Sequence, residues 1–286
     1  MAETNLIKKA DLARVREAEF VSMFEENVDK LKELLGISRM IPKEAGTVLK
    51  SYKATGTLQS GVVGEGETIP LSKYITQPVT YGEITLNKWR KATTAEAIIG
   101  GGFEQAVTMT TDRMLKDVQK AVRGKFIDFL ATGTSSAEGT NLQSALANTW
   151  GKLQVLFEDD AVQPVHFINP EDIADYLATA NISTQTAFGM SYVEDFLGLG
   201  TVITTSLVEK GTIYSTVQDN LVLYYVPANG SDLGNAFEFT SDDTGLIGIH
   251  EDADYTNMTA SDTVVNGMVL FADRIDGIVV TSINPI

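Results

Sequence analysis

The sequence predicts an α+β fold in which long helices and strand pairs occupy separate stretches of the chain. Apolar residues recur at spacings of three and four in residues 8–36 and again from about 102 to 130, which indicates two long amphipathic helices. Apolar and polar residues alternate in residues 47–57 and 75–89, the period of β-strands. Beyond residue 134, short helix and strand patterns follow one another. With 286 residues, 43% of them hydrophobic, the chain has enough apolar material for a sizeable core.

The first predicted helix has one apolar stripe along a charged surface. The stripe consists of Leu12, Val15, Phe24, Val28, Leu31 and Leu35, and Gly36 follows it as a typical helix stop. Two interpretations stay open. Either the helix packs in the core of its own chain, or it is an arm that docks on a neighbouring subunit through Leu31 and Leu35.

The two alternating segments flank a glycine-rich stretch and together predict a long β-hairpin with a flexible end. Such a two-stranded ribbon is marginally stable in water unless its apolar face is covered. The apolar face consists of Tyr74, Val79, Tyr81 and Ile84. We expect a second copy of the chain to cover it, so the candidate contact residues of the hairpin are Gly64, Glu65, Gly66, Glu67, Ile69 and Lys73.

The second long helix is predicted to begin at Gly100-Gly101-Gly102 and to reach about Leu130, a length of about 40 Å. In the region that follows, Thr140–Gln143 is predicted as a capping box. Asn169-Pro170-Glu171-Asp172 combines a capping residue, a first-turn proline and two acids, all typical of a helix start. Residues 264–271 and 275–283 are predicted as two closing strands.

The charge is unevenly distributed. The chain carries 22 basic and 38 acidic residues, a net charge of −16. Residues 1–130 hold 19 of the basic and 17 of the acidic residues, so residues 131–286 carry nearly all of the negative charge. This break indicates a boundary between structural regions near residues 132–136. The acidic balance argues against a nucleic-acid-binding protein, because phosphate contacts require a surplus of lysine and arginine.

The residue inventory excludes several kinds of chemistry. The chain has no cysteine, which excludes disulfides, thiolate metal sites and cysteine nucleophiles. Its two histidines, His166 and His250, are predicted as a hydrogen-bonded core residue and a surface residue. The run Glu251, Asp252, Asp254 lacks the pattern of a calcium loop and is predicted as a solvated acidic loop. We therefore predict no catalytic, cofactor-binding or metal-binding residue and no enzymatic activity, with a carboxylate-dependent hydrolase as a distant alternative.

The order of these elements resembles that of the major capsid proteins of tailed bacteriophages with the Hong Kong 97-type fold. The resemblance rests on the tip Val-Gly-Glu-Gly-Glu-Thr-Ile-Pro (Val63–Pro70), the segment Phe-Ile-Asn-Pro-Glu-Asp-Ile (Phe167–Ile173) and the closing Asp-Arg-Ile-Asp-Gly (Asp273–Gly277). It covers nearly the whole chain, and it is the order of these segments, more than any one of them, that carries it.

The resemblance implies a Hong Kong 97-like division of the chain. It places an N-terminal arm in residues 1–45, an extended β-hairpin loop in 46–93 and a peripheral domain with a long spine helix in 94–133. It places an α/β axial domain in 134–252 and the return strands of the peripheral domain in 253–286.

The resemblance also implies a structural function. Copies of the chain would form the hexamers and pentamers of an icosahedral phage head around double-stranded DNA, without sequence-specific DNA binding or a membrane. A separate scaffolding protein and a portal are expected as partners, with assembly in the host cytoplasm and a final location in the virion. The founding member of the family cross-links a loop lysine to an asparagine of a neighbour, which most relatives do not; whether Lys73 forms such a link with Asn266 or Asn284 stays open. An encapsulin-type nanocompartment shell is the main alternative.

Overall fold

The computed structural model describes residues 9–37, 39–157, 162–179 and 184–284, and within these ranges helices and sheets alternate along the chain. The helices are α1 (Lys9–Leu35), α2 (Ala95–Gly101), α3 (Met109–Leu130), α4 (Leu142–Leu156), α5 (Pro170–Thr179) and α6 (Ser231–Ala236). The strands are β1 (Met40–Pro42), β2 (Val48–Thr57), β3 (Lys73–Glu83), β4 (Asn87–Thr94), β5 (Ser135–Gly139), β6 (Pro164–Ile168), β7 (Gln185–Ala187), β8 (Met190–Val193), β9 (Thr201–Thr204), β10 (Thr212–Val217), β11 (Leu221–Tyr225), β12 (Thr240–Ser241), β13 (Ile247–Asp254), β14 (Thr259–Asn266), β15 (Val269–Ala272) and β16 (Val279–Ile283).

A seven-stranded mixed sheet forms the centre of the second half of the chain. Its strand order is β5-β16-β10-β6-β9-β8-β7, with β5/β16 and β6/β9 parallel and the other pairs antiparallel. α4 packs against β5 and β16. All five residues of β6 are buried, which is typical of a central strand covered on both faces.

A four-stranded antiparallel sheet, in the order β12-β13-β14-β4, joins residues from both halves of the sequence. α1 packs on its β13 and β12 side. Buried side chains of α1, α3 and this sheet share one core, which extends to Phe167 of the central sheet through an edge-to-face contact with Phe126 of α3. The long helices α1 and α3 therefore pack in a core that they share with the four-stranded sheet and the central sheet.

A three-stranded sheet (β1-β11-β15) and a two-stranded ribbon (β2-β3) complete the strand pairing. β1 runs parallel to β11, and β15 runs antiparallel to it. The ribbon strands pair with each other and with no other described strand. The ribbon is therefore not part of any of the larger sheets.

The ends of several helices lie at or near the positions that the sequence predicts. α1 ends where Gly36 adopts a φ of +60°, a conformation that glycine tolerates at a helix C-terminus. The Glu171 amide donates to Asn169 Oδ1 at 2.9 Å, so Asn169 caps α5 as predicted. The capping box of α4 lies one residue later than predicted, because Asn141 and Ser144 exchange the two hydrogen bonds.

The second long helical stretch begins directly after Gly102, as predicted, but its first turn is not α-helical. Gly100 and Gly101 also end the preceding short helix α2, and Gly102 has a φ of +80°. A π-helical turn (Glu104–Thr108) then leads into α3. The carbonyls of this turn are satisfied by side chains, since Lys91 Nζ donates to the Val107 oxygen at 3.1 Å and Thr110 Oγ1 to the Ala106 oxygen at 2.8 Å. A strand lysine therefore stabilises the irregular start of α3.

The pairing of the later strands also differs from the prediction. The predicted strand 75–89 ends at Glu83, and β4 turns away to pair with β14, so the hairpin ends ten residues before the predicted limit of 93. The predicted strand 264–271 is divided between β14 and β15, at Gly267, where an added Cβ would lie 2.6 Å from Val226 Cβ.

Two boundaries of the expected division do not coincide with structural boundaries. The limit at residue 252 falls inside the β13–β14 hairpin. β16, expected among the return strands of the peripheral domain, lies between β5 and β10 in the central sheet. The position of β16 comes from pairing between residues distant in sequence, which local patterns do not encode.

Candidate intersubunit surface

The β2–β3 ribbon carries the predicted hairpin contacts. Its register runs from Val48 opposite Glu83 to Thr57 opposite Lys73, with one irregularity between Leu49 and Lys50. Lys73 is therefore the first residue of β3, at the end of the ribbon nearest the tip. The tip, residues 58–72, contains no helix or strand.

Four of the predicted contact residues form a single tight turn in the tip. The Glu67 amide donates to the Gly64 oxygen at 3.1 Å, and Gly66 has a φ of +83°, as the third position of a type II turn requires. Glu67 also accepts a bond of 3.0 Å from the Gly64 amide through Oε2. Gly64, Glu65, Gly66 and Glu67 thus hold the chain reversal, and glycine is needed at position 66.

Large apolar side chains of the tip face solvent. They are Leu58, Val62, Ile69 and Leu71, which are 69–93% exposed, and they continue into β3 at Tyr74 and Ile75, which are 62% and 48% exposed. Several exposed large apolar side chains within one short segment favour an interaction site there. Ile69, one of the predicted contacts, belongs to this group, which we call the apolar tip.

The other end of the ribbon is anchored in the body of the chain. Leu49 and Ile84 are buried with Val226 and Phe271 in one small cluster. The Ile84 amide donates to the Thr47 oxygen at 3.0 Å, and the Gly46 amide donates to the Ile84 oxygen at 2.9 Å. The expectation that a neighbour covers Ile84 is therefore wrong. Val79 and Tyr81, from the same predicted face, have side chains outside the described part of the chain.

The structure also corrects the expectation for α1. Leu31 is 3% exposed and Leu35 is fully buried, and both pack in the main core with Phe24 and Val28. Burial inside the chain's own core leaves these side chains no surface for a neighbour. Of the two interpretations of this helix, the core-packed one fits the structure; the side chains of Leu12 and Val15 lie outside the described residues.

The proposed cross-link partners differ in accessibility. Asn266 is 1% exposed, its Nδ2 donates to the Leu246 oxygen at 2.8 Å, and its Oδ1 accepts from the Met268 amide at 3.1 Å. A buried amide with both ends bonded is unsuited to reaction with a lysine of another subunit. Asn284 follows β16 and is exposed.

Sequence reasoning missed a row of ionisable side chains across the four-stranded sheet. Lys91 of β4 pairs in register with Asp262 of β14, which pairs with Glu251 of β13, so the three residues stand side by side on one face. Lys91 Nζ lies 2.9 Å from Asp262 Oδ2, and Thr111 of α3 donates to the same oxygen at 2.7 Å. We call Lys91, Asp262 and Glu251 the charge row.

The predicted acidic loop is part of this sheet. Glu251, Asp252 and Asp254 belong to β13, so they are not a solvated loop. The Glu251 side chain is 5% exposed and forms an ion pair with Arg16 of α1. A sequence signal existed: Glu251 follows Ile247 and Ile249 at intervals of two, the inward phase of the strand.

The two histidines occupy structural positions. His166 is fully buried, with Nδ1 2.7 Å from Ser215 Oγ and Nε2 3.1 Å from the Leu199 oxygen, as predicted for a core residue. Burial lowers the pKa of His166 to about 4. His250, predicted as a surface residue, is half-buried within β13, opposite Thr263.

No group of three or more metal-ligating side chains is found where the chain is described. Likewise, none of the helices within the described ranges combines the length and apolarity required to span a bilayer. A further acidic run in the sequence, at residues 158–160, lies outside the described residues.

No protein-family model and no curated protein sequence matches the chain. Solved structures do match it. A virus-like particle from Pyrococcus furiosus is 13% identical with a TM-score of 0.54, over 93% of this chain and 98% of that one. The capsid of cyanophage A-1(L) is 13% identical with a TM-score of 0.55, over 89% and 92% of the two chains.

A third match extends over nearly the entire sequence. A chain in the solved structure of Mycobacterium phage Patience is 11% identical, with a TM-score of 0.51, over 99% of this chain and 90% of that one. At sequence identities of 11–13%, the similarity shows a shared fold. Because it covers helices, sheets and ribbon together, the chain has the Hong Kong 97-type fold.

Proposed function

We propose that the chain is the major capsid protein of a tailed bacteriophage, a structural subunit that assembles into hexamers and pentamers of an icosahedral head enclosing double-stranded DNA. The observation that carries this proposal is the apolar tip, held away from the chain's own core on a fold that solved phage capsids share. A second copy of the chain is the occupant that such a repeated, self-complementary assembly supplies.

The ribbon suits the role of an intersubunit clamp. Its root is fixed by Leu49 and Ile84, while its tip offers Val62, Ile69 and Leu71 to a neighbour. Full burial of a side chain of this size contributes about 1.5–3 kcal/mol, part of which offsets the ordering of the tip. The net stabilisation from each contact is therefore small, and a closed shell is held together by many such contacts.

We assign the intersubunit contacts of the ribbon to the turn and the residues beside it. They are Gly64, Glu65, Gly66, Glu67, Ile69 and Lys73. Leu31 and Leu35 are left out because they are buried in the subunit core. The division into arm, extended loop, peripheral domain and axial domain is proposed with two changes: the loop ends at Glu83, and β16 joins the axial sheet.

The remaining partners follow from the same role. A separate scaffolding protein and a portal would act during assembly in the host cytoplasm, and the finished protein would reside in the virion. A net charge of −16 is consistent with a shell that confines DNA without binding its phosphates tightly. The role requires no enzymatic activity.

The alternative is a shell that encloses protein instead of a genome, as in encapsulins. The fold does not separate the two, since the TM-scores for a virus-like particle (0.54) and for a phage capsid (0.55) are nearly the same. A carboxylate-dependent hydrolase has no such support. Glu251, whose pKa burial raises to about 7, lies between α1 and the sheet and does not face a cleft.

Expression of the full chain, alone and with its upstream neighbour gene, tests the proposal by electron microscopy and sedimentation velocity. We expect closed particles of uniform diameter. Particles that protect double-stranded DNA from nuclease in the native host favour the phage head, and particles filled with one protein favour the nanocompartment. A compact monomer under all conditions would contradict both.

A further inference from the structure

A groove lies at the root of the ribbon, between the turn that precedes β2 and the start of α6. Its volume is about 720 Å³, a size that accommodates a small organic molecule or several aliphatic side chains. The apolar part of its lining consists of Pro42, Ala45, Val226, Pro227 and Leu233. We call it the root groove.

The walls of the root groove are held in place by the chain itself. Val226 is 6% exposed and belongs to the buried cluster that anchors the ribbon. The Lys43 amide donates to the Tyr225 oxygen at 2.8 Å, and the Gly46 amide donates to the Ile84 oxygen at 2.9 Å. The root groove is therefore already formed in the single subunit, so a partner need not create it.

The apolar tip of the same chain cannot fill this groove. The groove lies beside Thr47, directly before β2, whereas the tip follows Thr57 at the far end of that strand. The ten residues of β2 separate the two, a distance of about 30 Å at the rise of a β-strand. Only the tip of another copy can therefore meet the root groove.

The tip and the groove have matching apolar surfaces. Val62 and Leu71 of the tip are 92% and 93% exposed, so both side chains are available to a partner. Pro42 and Ala45, on the wall of the groove, are exposed as well. Contact between the two surfaces removes apolar area from water on both sides, which favours association.

The charges beside these surfaces are also complementary. Lys43 and Glu44 line the groove, and Glu65 and Lys73 belong to the tip and to the strand end beside it. None of these four side chains forms an ion pair with another described residue. Each surface thus offers one unpaired charge of either sign, so Lys43 can face Glu65 of another copy and Glu44 can face Lys73.

We propose that the root groove is the docking site for the apolar tip of a second copy, which inserts Val62 and Leu71 there with Glu65 beside Lys43. This names the surface that the clamp engages, so it rests on the proposed shell. Tip and groove are different surfaces of one chain, which makes the contact head-to-tail. Head-to-tail contacts form a ring when the rotation between copies closes, as a pentamer or a hexamer requires.

Photocross-linking of assembled particles tests the docking site. The chain has no cysteine, so Gly61→Cys places one benzophenone maleimide in the tip, where an added Cβ meets no atom within 4 Å. In particles of mixed ¹⁵N-labelled and unlabelled copies, cross-links should join residue 61 of one copy to residues 42–47 or 226–233 of another. Gly151→Cys, equally open on α4, is the control and should not reach the groove. Cross-links from residue 61 that avoid both segments would overturn the proposal.

Filling the groove is the second test, and it does not depend on a label. Ala45→Trp adds an indole to the groove from an exposed turn position, so the urea midpoint of the subunit should not change while particle yield falls below one tenth. Ala45→Ser should assemble like the wild type, as should Ala147→Trp at an exposed position of α4. A normal particle yield from Ala45→Trp would contradict docking in this groove.

These outcomes separate the docking site from the proposed function. Wild-type particles whose cross-links avoid the root groove, or which Ala45→Trp forms normally, leave the shell intact and reject the docking site. A wild-type chain that stays monomeric under all conditions contradicts the shell itself, and the docking site with it.

Discussion

Lys91 and Asp262 face each other directly across β4 and β14, with the lysine Nζ 2.9 Å from the aspartate Oδ2. The same ammonium group lies 2.8 Å and 2.7 Å from the hydroxyl oxygens of Thr110 and Thr111. One partly buried cation therefore neutralises the sheet carboxylate and stabilises the irregular start of α3.

Removing this cation should be costly. Lys91→Met leaves the Asp262 carboxylate buried without its partner, which should lower the free energy of unfolding by about 3–5 kcal/mol. Lys88→Met, on the exposed face of the same strand, should change it by less than about 0.5 kcal/mol. Urea unfolding of the free subunits measures both. The double variant Lys91→Met/Asp262→Leu should recover most of the loss; a single variant as stable as its control would show that the pair contributes little.

The burial of α1 predicts that it is part of the folded subunit. Leu35→Ala should reduce the free energy of unfolding by about 2–5 kcal/mol, because the side chain is fully buried. Met23→Ala, at a position on the same helix that is 48% exposed, should cost under about 1 kcal/mol. Deletion of residues 1–36 should unfold the chain by circular dichroism. A stable, fully folded truncated chain would restore the docking-arm interpretation.

The apolar tip should matter for assembly and not for folding. Replacing Val62, Ile69 and Leu71 by serine removes exposed apolar surface, so the urea midpoint of the subunit should not change while particle yield falls below one tenth. Val155→Ser, at an exposed position of α4, is the matched control and should assemble normally. Sedimentation velocity separates particles from subunits. Normal particles from the triple variant would rule out the tip as a contact.

The titrations of two buried groups, His166 and Glu251, should change the free energy of unfolding in opposite directions as the pH changes. The pKa of His166 is lowered from 6.5 to about 4, so its contribution is full above pH 6.5 and is lost as the pH falls toward 4. The pKa of Glu251 is raised to about 7, so its contribution is full below pH 4.5 and is lost as the pH rises through 7. In the wild type these dependences should largely cancel.

Variants should separate the two contributions. Glu251→Gln should leave the His166 effect, a loss of about 3 kcal/mol between pH 6.5 and pH 4. His166→Gln should leave the Glu251 effect, which increases stability over much of the same interval. Urea unfolding at several pH values tests this. Parallel pH profiles for the two variants would show that the assigned causes are wrong.

The sequence predicts well what depends on neighbours along the chain. The stripe ending at Leu35, the stop at Gly36 and the cap at Asn169 all follow from local spacing and side-chain chemistry. The position of β16 between β5 and β10 does not, since parallel pairing over more than 100 residues leaves no local trace. The charge row was missed because Glu251 and Asp262 resemble surface acids until their inward strand phase is considered.

Hydrogen exchange of the ribbon tests the central claim, that the apolar tip clamps neighbouring subunits in a shell. Amides of residues 58–72 should exchange rapidly in free subunits and at least tenfold more slowly in assembled particles. Amides of β4, which pair with β14 inside each subunit, should be protected in both states and serve as the internal reference. Equal exchange of residues 58–72 in subunits and particles would contradict the account.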